Sequence, residues 1–349
     1  MAPTALLRMI LSQGDALDRM AGLDLAEPAG VLARAARIIL VGTGTSQHAA
    51  ELGAMMLDAA GRDARWYPAA SWARWSTSAR LGDVLLVISH TGETAYAART
   101  RADALAAGVP VVSITGTGRA WPEAIETVPP DESHTYTVSY TAALGVLARL
   151  AHELGSPDGS PEQVKQAAAA VRHVCAEPAL EEVAVPARSL AIVGPGPWGI
   201  TAREGALKIR EGARMLAEGF DTDRLLHGGA VPLTAADGLV VLEPAADPDG
   251  LTAALGAAAR AERVPVAVLA AADVPSAADV PGAADSGPLP PLLAQIPATV
   301  RLQLLAERFA RLRRQDPDVA ITGDWDAPAL WQMGAPAGPV TGPAGAELS

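Results

Sequence analysis

The sequence predicts an α/β protein built from two doubly wound parallel sheets. Short, continuous apolar runs alternate with amphipathic stretches, which is typical of parallel strands covered by helices on both faces. The same rhythm restarts after the linker at residues 156–161, SPDGSP. The chain has 349 residues, whereas ordinary domains have about 100–200. We therefore expect two lobes related by internal duplication.

Each lobe has its own predicted set of strands and helices. In the first lobe the strands are Arg37–Val41, Ala64–Tyr67, Val84–Ser89, Val111–Thr115 and an edge strand at Ala124–Val128. Helices are predicted at 46–60 and 93–107, from near Ser139, and over 3–36 with a break at Pro28-Ala29-Gly30. The second lobe has predicted strands at Ser189–Val193, Leu239–Leu242 and Val264–Leu269, with helices at 162–176 and 297–314.

These elements define the predicted domain organisation. Residues 1–30 form a helical segment, 31–155 the first lobe, 156–330 the second lobe and 331–349 a flexible tail rich in Gly and Pro. The repetitive stretch 270–288 is predicted to be a flexible loop because of its low complexity.

Composition limits the possible function. The formal net charge of −12 argues against a nucleic-acid binder, which would present a basic face. A small phosphorylated ligand remains compatible, since a few local donors suffice to hold it. Cys175 is the only cysteine, which excludes an internal disulfide and a cysteine-based zinc site. No signal peptide or apolar membrane span is evident. We expect a cytoplasmic protein without a metal or cofactor.

Two hydroxyl-rich turns mark a candidate anion site in the first lobe. Gly42-Thr43-Gly44-Thr45-Ser46 follows the first strand, and Ser89-His90-Thr91-Gly92-Glu93-Thr94 follows the third. The first and third strands can be neighbours in a doubly wound sheet. Two helix N-termini would then converge on one phosphate. The alternative is that each turn merely caps its helix through Thr or Ser.

The second lobe carries a charged helix face. Glu204, Lys208 and Glu211 recur at i, i+4 and i+7, and Lys208 is one of only two lysines in the chain. The alternative is a solvated salt-bridge stripe. The preceding turn, GPGPWG at 194–199, matches a dinucleotide pattern literally. Its two prolines and the missing acidic residue after the next strand make a nicotinamide site the weakest option.

These motifs resemble the sugar isomerase (SIS) family, in particular the isomerase half of glucosamine-6-phosphate synthase. The resemblance rests on GTGTS, SHTGET, SYTAAL, EGALKIRE and LLHGG, and covers most of the chain. It implies two tandem flavodoxin-like SIS lobes and a sugar-phosphate ligand. The implied phosphate-binding residues are Gly44, Thr45, Ser46, Ser89, His90, Thr91, Thr94 and Ser139. His90 and Thr91 replace the usual glutamine and serine and keep hydrogen-bonding capacity.

The resemblance also implies the catalytic residues. Glu211 would move a proton between C1 and C2 of the sugar, with Lys208 beside it. His227, sixteen residues further along, would assist ring opening from the neighbouring subunit of a homodimer. A carboxylate and an imidazole suit proton transfer near neutral pH. Taken alone, His227 could equally be a surface or packing residue.

Several departures from the family pattern leave the reaction open. Arg224 and Gly229 stand where relatives carry glutamate and proline, no lysine follows Lys208, and no glutamine-hydrolysing domain is expected. The function predicted is aldose–ketose isomerisation or amino-sugar-phosphate deamination on a hexose or hexosamine 6-phosphate. Deglycation of a sugar-phosphate adduct and non-catalytic sugar-phosphate sensing are the alternatives.

Overall fold

The computed structural model describes residues 3–75, 79–270 and 288–336, and these residues contain two parallel sheets. The strands of the first sheet are β1 Arg37–Gly42, β2 Ala64–Pro68, β3 Asp83–Ile88, β4 Val111–Thr115 and β5 Ala124–Glu126; those of the second are β6 Leu190–Gly194, β7 Ala217–Asp221, β8 Gly238–Glu243 and β9 Val266–Ala270. The first sheet has the strand order β2-β1-β3-β4-β5 and the second β7-β6-β8-β9. The order of the first sheet is the flavodoxin-like one, so the predicted fold class is confirmed.

The central strands are apolar because helices cover both of their faces. All residues of β3, β4 and β6 are buried. Strand β1 pairs in parallel with both β2 and β3, as the sequence predicted for the first and third strands. Their carboxyl ends therefore meet at one edge of the sheet.

The helices confirm most of the predicted pattern. They are α1 Ala5–Leu11, α2 Gln13–Ala21, α3 Ala26–Ala33, α4 Thr45–Ala59, α5 Ala69–Trp75, α6 Ala95–Ala106, α7 Val138–Glu153, α8 Pro161–Ala176, α9 Trp198–Ala213, α10 Thr222–Arg224, α11 Leu251–Ala261, α12 Gln295–Leu312 and α13 Pro328–Trp331. An irregular turn at Leu225–Gly229 follows α10, and His227 and Gly228 within it have non-helical backbone angles. None of the described helices is long and apolar enough to span a bilayer.

The predicted helix break at Pro28-Ala29-Gly30 is wrong. Helix α3 runs through these residues, and the chain leaves the helical conformation at Gly22–Leu25 instead. Pro28 lies in the first turn of α3, where the missing N–H costs no hydrogen bond. Residues 271–287 of the predicted flexible loop and 337–349 of the predicted tail lie outside the described residues.

The N-terminal helices and both lobes share one hydrophobic core. A buried polar chain ties them together: Thr141 donates to Gln13 at 2.7 Å, and Gln13 donates to Gln303 at 2.7 Å. These buried hydrogen bonds connect helices α2, α7 and α12. The first lobe is thereby packed against the second, whose helix α9 carries the charged side chains.

Candidate active site

The first hydroxyl-rich turn brings β1 and α4 into very close contact. A Cβ on Gly42 would lie 2.2 Å from the Ser46 carbonyl oxygen, so only glycine fits there. Gly44 has φ +58, a conformation that favours glycine. Helix α4 then begins at Thr45 and directs its N-terminus toward the carboxyl edge of the sheet. The turn is thus shaped for a close backbone approach to a ligand.

The second turn lies beside the first because β1 and β3 are neighbours. Thr91 accepts a hydrogen bond from the Glu93 N–H at 3.1 Å, and the Ser89 and Thr94 hydroxyls are 3.5 Å apart. Gly92 has φ +69. Thr91 therefore makes a local turn bond and does not cap α6, whose N-cap residue, Thr94, makes no side-chain cap bond. The capping alternative is thus wrong for this turn, and the backbone leads into an uncapped N-terminus of α6.

A pocket opens between these turns and the start of α7. Its wall consists of Thr45, Ser46, Ala49, Ile88, His90, Ile114, Thr115, Thr127, Ser139, Tyr140 and Ala143. Of the predicted phosphate ligands, Thr45, Ser46, His90 and Ser139 are brought together here. Gly44, Ser89, Thr91 and Thr94 lie in the two bordering turns without lining this pocket.

His90 is held neutral in the pocket wall. Burial and the nearby Arg119 guanidinium lower the pKa of His90 to about 4. Its Nε2 is buried without a hydrogen-bond partner among the described residues, and its ring lies edge-on to Tyr136, with 6.1 Å between centroids. The Pro129 carbonyl accepts a hydrogen bond from the ring, so in the neutral imidazole the unpartnered Nε2 is a hydrogen-bond acceptor, and the ring adds no positive charge.

The charged face of α9 is buried rather than solvated, which rules out the stripe alternative. The Lys208 Nζ lies 2.7 Å from Glu211 Oε2 and 3.4 Å from Glu204 Oε1. The exposed side-chain fractions are 1% for Lys208, 0% for Glu204 and 25% for Glu211. Lys208 therefore lies between two carboxylates, and one of them still reaches solvent.

The two carboxylates have opposite pKa shifts. Burial raises the pKa of Glu211, and the attraction of Lys208 only partly offsets it. Burial also favours protonation of Glu204, but Lys208 and the hydrogen bonds from His48 and Thr45 lower its pKa overall. Carboxylates whose environments separate their pKa values commonly divide acid–base roles. Glu211 has the properties of a proton acceptor, and Glu204 those of a permanent counter-ion.

Contacts between the lobes hold Glu204 in place. The Thr45 hydroxyl donates to its carboxylate at 2.9 Å, and His48 Nδ1 lies 2.7 Å from its Oε2. Sequence reasoning did not assign Glu204 or His48 to the site. The available signal was their spacing: His48 follows Thr45 by three residues on α4, and Glu204 precedes Lys208 by four on α9. Both pairs therefore share a helix face.

Asp131 is a further site residue that the sequence did not reveal. Its Oδ2 accepts hydrogen bonds from the Ser139 hydroxyl at 2.8 Å and the Thr137 N–H at 3.1 Å. Burial raises its pKa, while Lys208 acts in the opposite direction. Asp131 lies in the irregular segment before α7, where no periodicity points to an inward-facing side chain.

The single chain does not bring His227 to the charged cluster. The exposed side-chain fraction of His227 is 74%, and its Nε2 lies 3.5 Å from Asp223 Oδ1. Leu226 and Val231 nearby are exposed as well. Of the three predicted catalytic residues, Glu211 and Lys208 are thus in contact, whereas His227 lies on the surface.

The two parallel sheets and the pocket beside the first one define a two-lobed α/β protein. Residues 31–145 match the model of the SIS domain. The first lobe is therefore a SIS domain, and the resemblance drawn from the motifs is confirmed.

The curated relatives are aminotransferases. The chain is 30% identical over 241 residues to glutamine–fructose-6-phosphate aminotransferase (isomerizing) of Zymomonas mobilis, covering 63% of this chain and 40% of that protein. It is 30% identical over 315 residues to the Pyrococcus horikoshii enzyme of the same name, covering 81% and 50%. The chain thus spans about half the length of these relatives or less.

Solved structures share the fold across nearly the whole chain. Tagatose-6-phosphate ketose/aldose isomerase from Escherichia coli superposes with a TM-score of 0.73 at 19% identity, covering 93% of this chain and 98% of that one. Glucosamine-6-phosphate deaminase from Thermotoga maritima gives 0.70 at 16% identity, covering 90% and 97%. At these identities the likeness establishes the two-lobe architecture.

Proposed function

We propose that the protein is a sugar-phosphate isomerase or deaminase acting on a hexose or hexosamine 6-phosphate. The observation that carries this is the buried Glu204–Lys208–Glu211 cluster adjoining the hydroxyl-lined pocket. Thr45 lines the pocket and bonds to Glu204, so the charged cluster begins where the pocket wall ends. The names of the curated relatives and of the structural neighbours support the same substrate class.

The phosphate is held by neutral donors and helix N-termini. Ser46 offers a side-chain donor in the pocket wall, whereas the Ser139 hydroxyl already donates to Asp131. Helices α4 and α6 begin beside the pocket. Charge-assisted hydrogen bonds contribute about 1.5–3 kcal/mol each. A few of them hold a phosphate while the sugar carbons extend toward Lys208 and Glu211.

The chemistry is a proton shift between adjacent carbons. Glu211 removes the proton from C2 of the open-chain aldose and returns it to C1, while a proton moves from O2 to O1, giving the ketose. In an amino sugar the same shift gives a ketimine, which water hydrolyses to the ketose and ammonia. The raised pKa of Glu211 suits this role, because a general base works best with a pKa near the working pH. Lys208 stabilises the negative charge on the intermediate.

His227 completes the site from a second subunit in this proposal. Its exposure beside Leu226 and Val231 fits a surface that another copy would cover. A subunit-complementation experiment tests the arrangement: Glu211→Gln and His227→Ala proteins, each inactive, are unfolded together and refolded as a mixture. A shared site restores activity in mixed dimers, which contain one intact Glu211–His227 pair. No recovery, with a monomer seen by sedimentation, would rule out the shared site.

The test of the proposed reaction is deuterium exchange. Glucose, fructose and glucosamine 6-phosphates are incubated with the protein in D₂O and followed by NMR. Deuterium entering C1 or C2 with the native protein and not with Glu211→Gln identifies an enzyme with Glu211 as base, and the product names the reaction. Lys165→Met serves as the control, since Lys165 pairs with Glu162 on the exposed face of α8.

A sugar-phosphate sensor is the second candidate. Arg224 and Gly229 depart from the family pattern, and no lysine follows Lys208. Gly229 packs against the Phe220 ring, where an added Cβ would lie at 2.7 Å, so this segment has its own local packing. Tight, phosphate-dependent binding without exchange on any of the three sugars would favour the sensor.

A further inference from the structure

The buried charged cluster reaches solvent at two of its members. The exposed side-chain fractions are 25% for Glu211 and 13% for His48, whereas Lys208 and Glu204 are closed to solvent. The contacts run in series. His48 Nδ1 lies 2.7 Å from Glu204 Oε2, and the other oxygen of Glu204 lies 3.4 Å from the Lys208 ammonium. That ammonium lies 2.7 Å from Glu211. The cluster thus has a carboxylate at one end and an imidazole at the other, and both ends are open.

Glu204 determines which nitrogen of His48 carries the proton. An ionised carboxylate only accepts hydrogen bonds, so Nδ1 of His48 donates to Glu204. In the neutral imidazole Nε2 is then an acceptor. Within the described part of the chain Nε2 makes no hydrogen bond, and it is not one of the buried unpartnered atoms. Nε2 is therefore open to solvent, and the carboxylate behind the ring stabilises its protonated form.

His48 lies beside the pocket as well as in the cluster. It follows Thr45 by three residues on α4, which places both side chains on one helix face. Both of them end on the Glu204 carboxylate, and Thr45 also lines the pocket. The imidazole is therefore within one helical turn of the pocket wall, on the side that faces α9.

We propose that His48 is a catalytic residue that carries the proton between O1 and the heteroatom on C2, with Glu204 as its counter-ion. This heteroatom is O2 in a hexose and the nitrogen in a hexosamine. The inference rests on the proposed function, in which Glu211 moves the carbon-bound proton and no residue is yet assigned to the second proton. His227 keeps its proposed part in ring opening, which is a separate step.

The two proton carriers balance the reaction. When Glu211 takes the proton from C2, the C1–C2 double bond forms and O1 becomes negatively charged. Nε2 of His48 then accepts the proton of the heteroatom on C2, the double bond to that heteroatom forms, and C1 takes its proton from Glu211. The imidazolium finally gives its proton to O1. Both side chains end as they began, so no co-reactant is needed.

The experiment measures the two proton transfers separately. Glucose and glucosamine 6-phosphates are incubated in D₂O, and NMR follows product formation and the deuterium that enters C2 of the recovered aldose. In His48→Asn, whose amide can still reach Glu204, product formation should fall by about 10²-fold or more, as for a lost acid–base group. Entry of deuterium at C2 should fall by no more than about tenfold, as for a weakened hydrogen bond. The ratio of exchange to product therefore rises.

Two controls separate proton transfer from positioning. Thr45→Val also removes a donor from Glu204 but no proton carrier, so it should lower both rates together and leave their ratio unchanged. His173→Asn makes the same substitution on α8, outside the cluster, and should leave both rates unchanged.

The other outcomes overturn the inference. Equal losses of exchange and product in His48→Asn would show that His48 only positions Glu204. Unchanged rates would refute its role and leave the proposed function standing, whereas neither exchange nor product with the native protein rejects the proposed function as well. If His48→Asn does not fold, the native protein decides: the ¹⁵N signal of His48 Nε2 should shift when fructose 6-phosphate binds. A complex that leaves this signal unmoved would rule out contact with the sugar.

Discussion

Replacing Lys208 with methionine tests whether the buried cluster is a single electrostatic unit. The substitution keeps an unbranched stem and removes the ammonium that lies 2.7 Å from Glu211 and 3.4 Å from Glu204. The side chain of Glu204 is fully buried, and that of Glu211 is three-quarters buried. Both carboxylates would lose the cation that now favours their charged form.

The expected cost follows from removing one partner of a buried ion pair. Such changes destabilise proteins by about 3–5 kcal/mol, because the remaining charge is left uncompensated. Glu204 retains His48 and Thr45 as partners, and Glu211 retains some solvent. We therefore expect the free energy of unfolding to fall by about 3 kcal/mol at pH 7, the lower end of this range.

The stability lost in Lys208→Met should be larger at neutral pH than in acid. In the native protein the lowered pKa of Glu204 contributes stability above its ordinary value of 4.5, and that contribution is lost as the pH falls through the folded-state pKa. Without Lys208, burial raises the pKa of both carboxylates. The variant's deficit is therefore largest at neutral pH and shrinks as the pH approaches 4.5, where protonation removes the unpaired charges.

The assay is urea denaturation of the native protein, Lys208→Met and Lys165→Met at pH 7 and pH 5. Lys165 is the only other lysine; its side chain is 53% exposed and 3.5 Å from Glu162. Its replacement should change the free energy of unfolding by less than about 0.5 kcal/mol. A Lys208→Met protein as stable as the native one at pH 7, or a deficit identical at both pH values, would refute the reasoning.

Three further predictions concern single contacts. His48→Phe removes a donor from Glu204 and should lower the free energy of unfolding by about 1–3 kcal/mol, while His48→Asn, which can reach the same oxygen, recovers part of it in the same urea assay. Hydrogen bonds from a neighbouring arginine, serine and threonine hold the pKa of Asp237 well below its ordinary value of 3.8. The ionised carboxylate therefore contributes folding stability above pH 3.8, and this contribution is lost as the pH falls further. Asp237→Asn should flatten the acid-unfolding curve followed by circular dichroism. Gly42→Ala would place a Cβ 2.2 Å from a carbonyl oxygen of α4 and should lower both thermal stability and phosphate affinity, whereas Gly30→Ala, in an uncrowded helix, should stabilise by about 0.5–1 kcal/mol.

The sequence predicted elements best where burial leaves a simple pattern. Strands β3 and β4 are buried along their length, β1 is buried in all but its first residue, and the sequence predicts all three as apolar runs. Strand β7, Ala217–Asp221, was missed because it is an edge strand with one fully buried residue and the sequence AEGFD. Its pairing with β6 is a tertiary effect that no local pattern encodes.

The candidate site was predictable only where motifs or helical spacing revealed it. The spacing of Glu204, Lys208 and Glu211 placed them on one face, but the burial of that face depends on α4 from the other lobe. Asp131 was not predictable from periodicity, since it lies in an irregular segment. For His227 the spacing pointed to the site, whereas its side chain is exposed on the single chain. In the proposed function a second subunit brings His227 to the site, and the structure of one chain does not test that arrangement.

In the proposed function, helix α4 connects phosphate binding with proton transfer, and this proposed connection leads to a last prediction. The Thr45 hydroxyl donates its hydrogen bond to Glu204. Ser46, the next residue, lines the pocket, and within the described part of the chain its hydroxyl bonds to neither Glu204 nor Glu211. Thr45→Val should therefore lower the rate of deuterium exchange more than the affinity for inorganic phosphate. Ser46→Ala should do the reverse, with a phosphate Kd raised by about three- to tenfold for one lost hydrogen bond.

The two variants are compared by calorimetric titration with phosphate and by NMR exchange on the same preparations. Because the substitutions are adjacent and remove one hydroxyl each, a difference between them reflects what each hydroxyl contacts. If Thr45→Val weakened phosphate binding as much as Ser46→Ala and left exchange intact, Thr45 would be an ordinary phosphate ligand. The Thr45–Glu204 hydrogen bond would then have no part in catalysis, and only the bound substrate would connect the two lobes at the site.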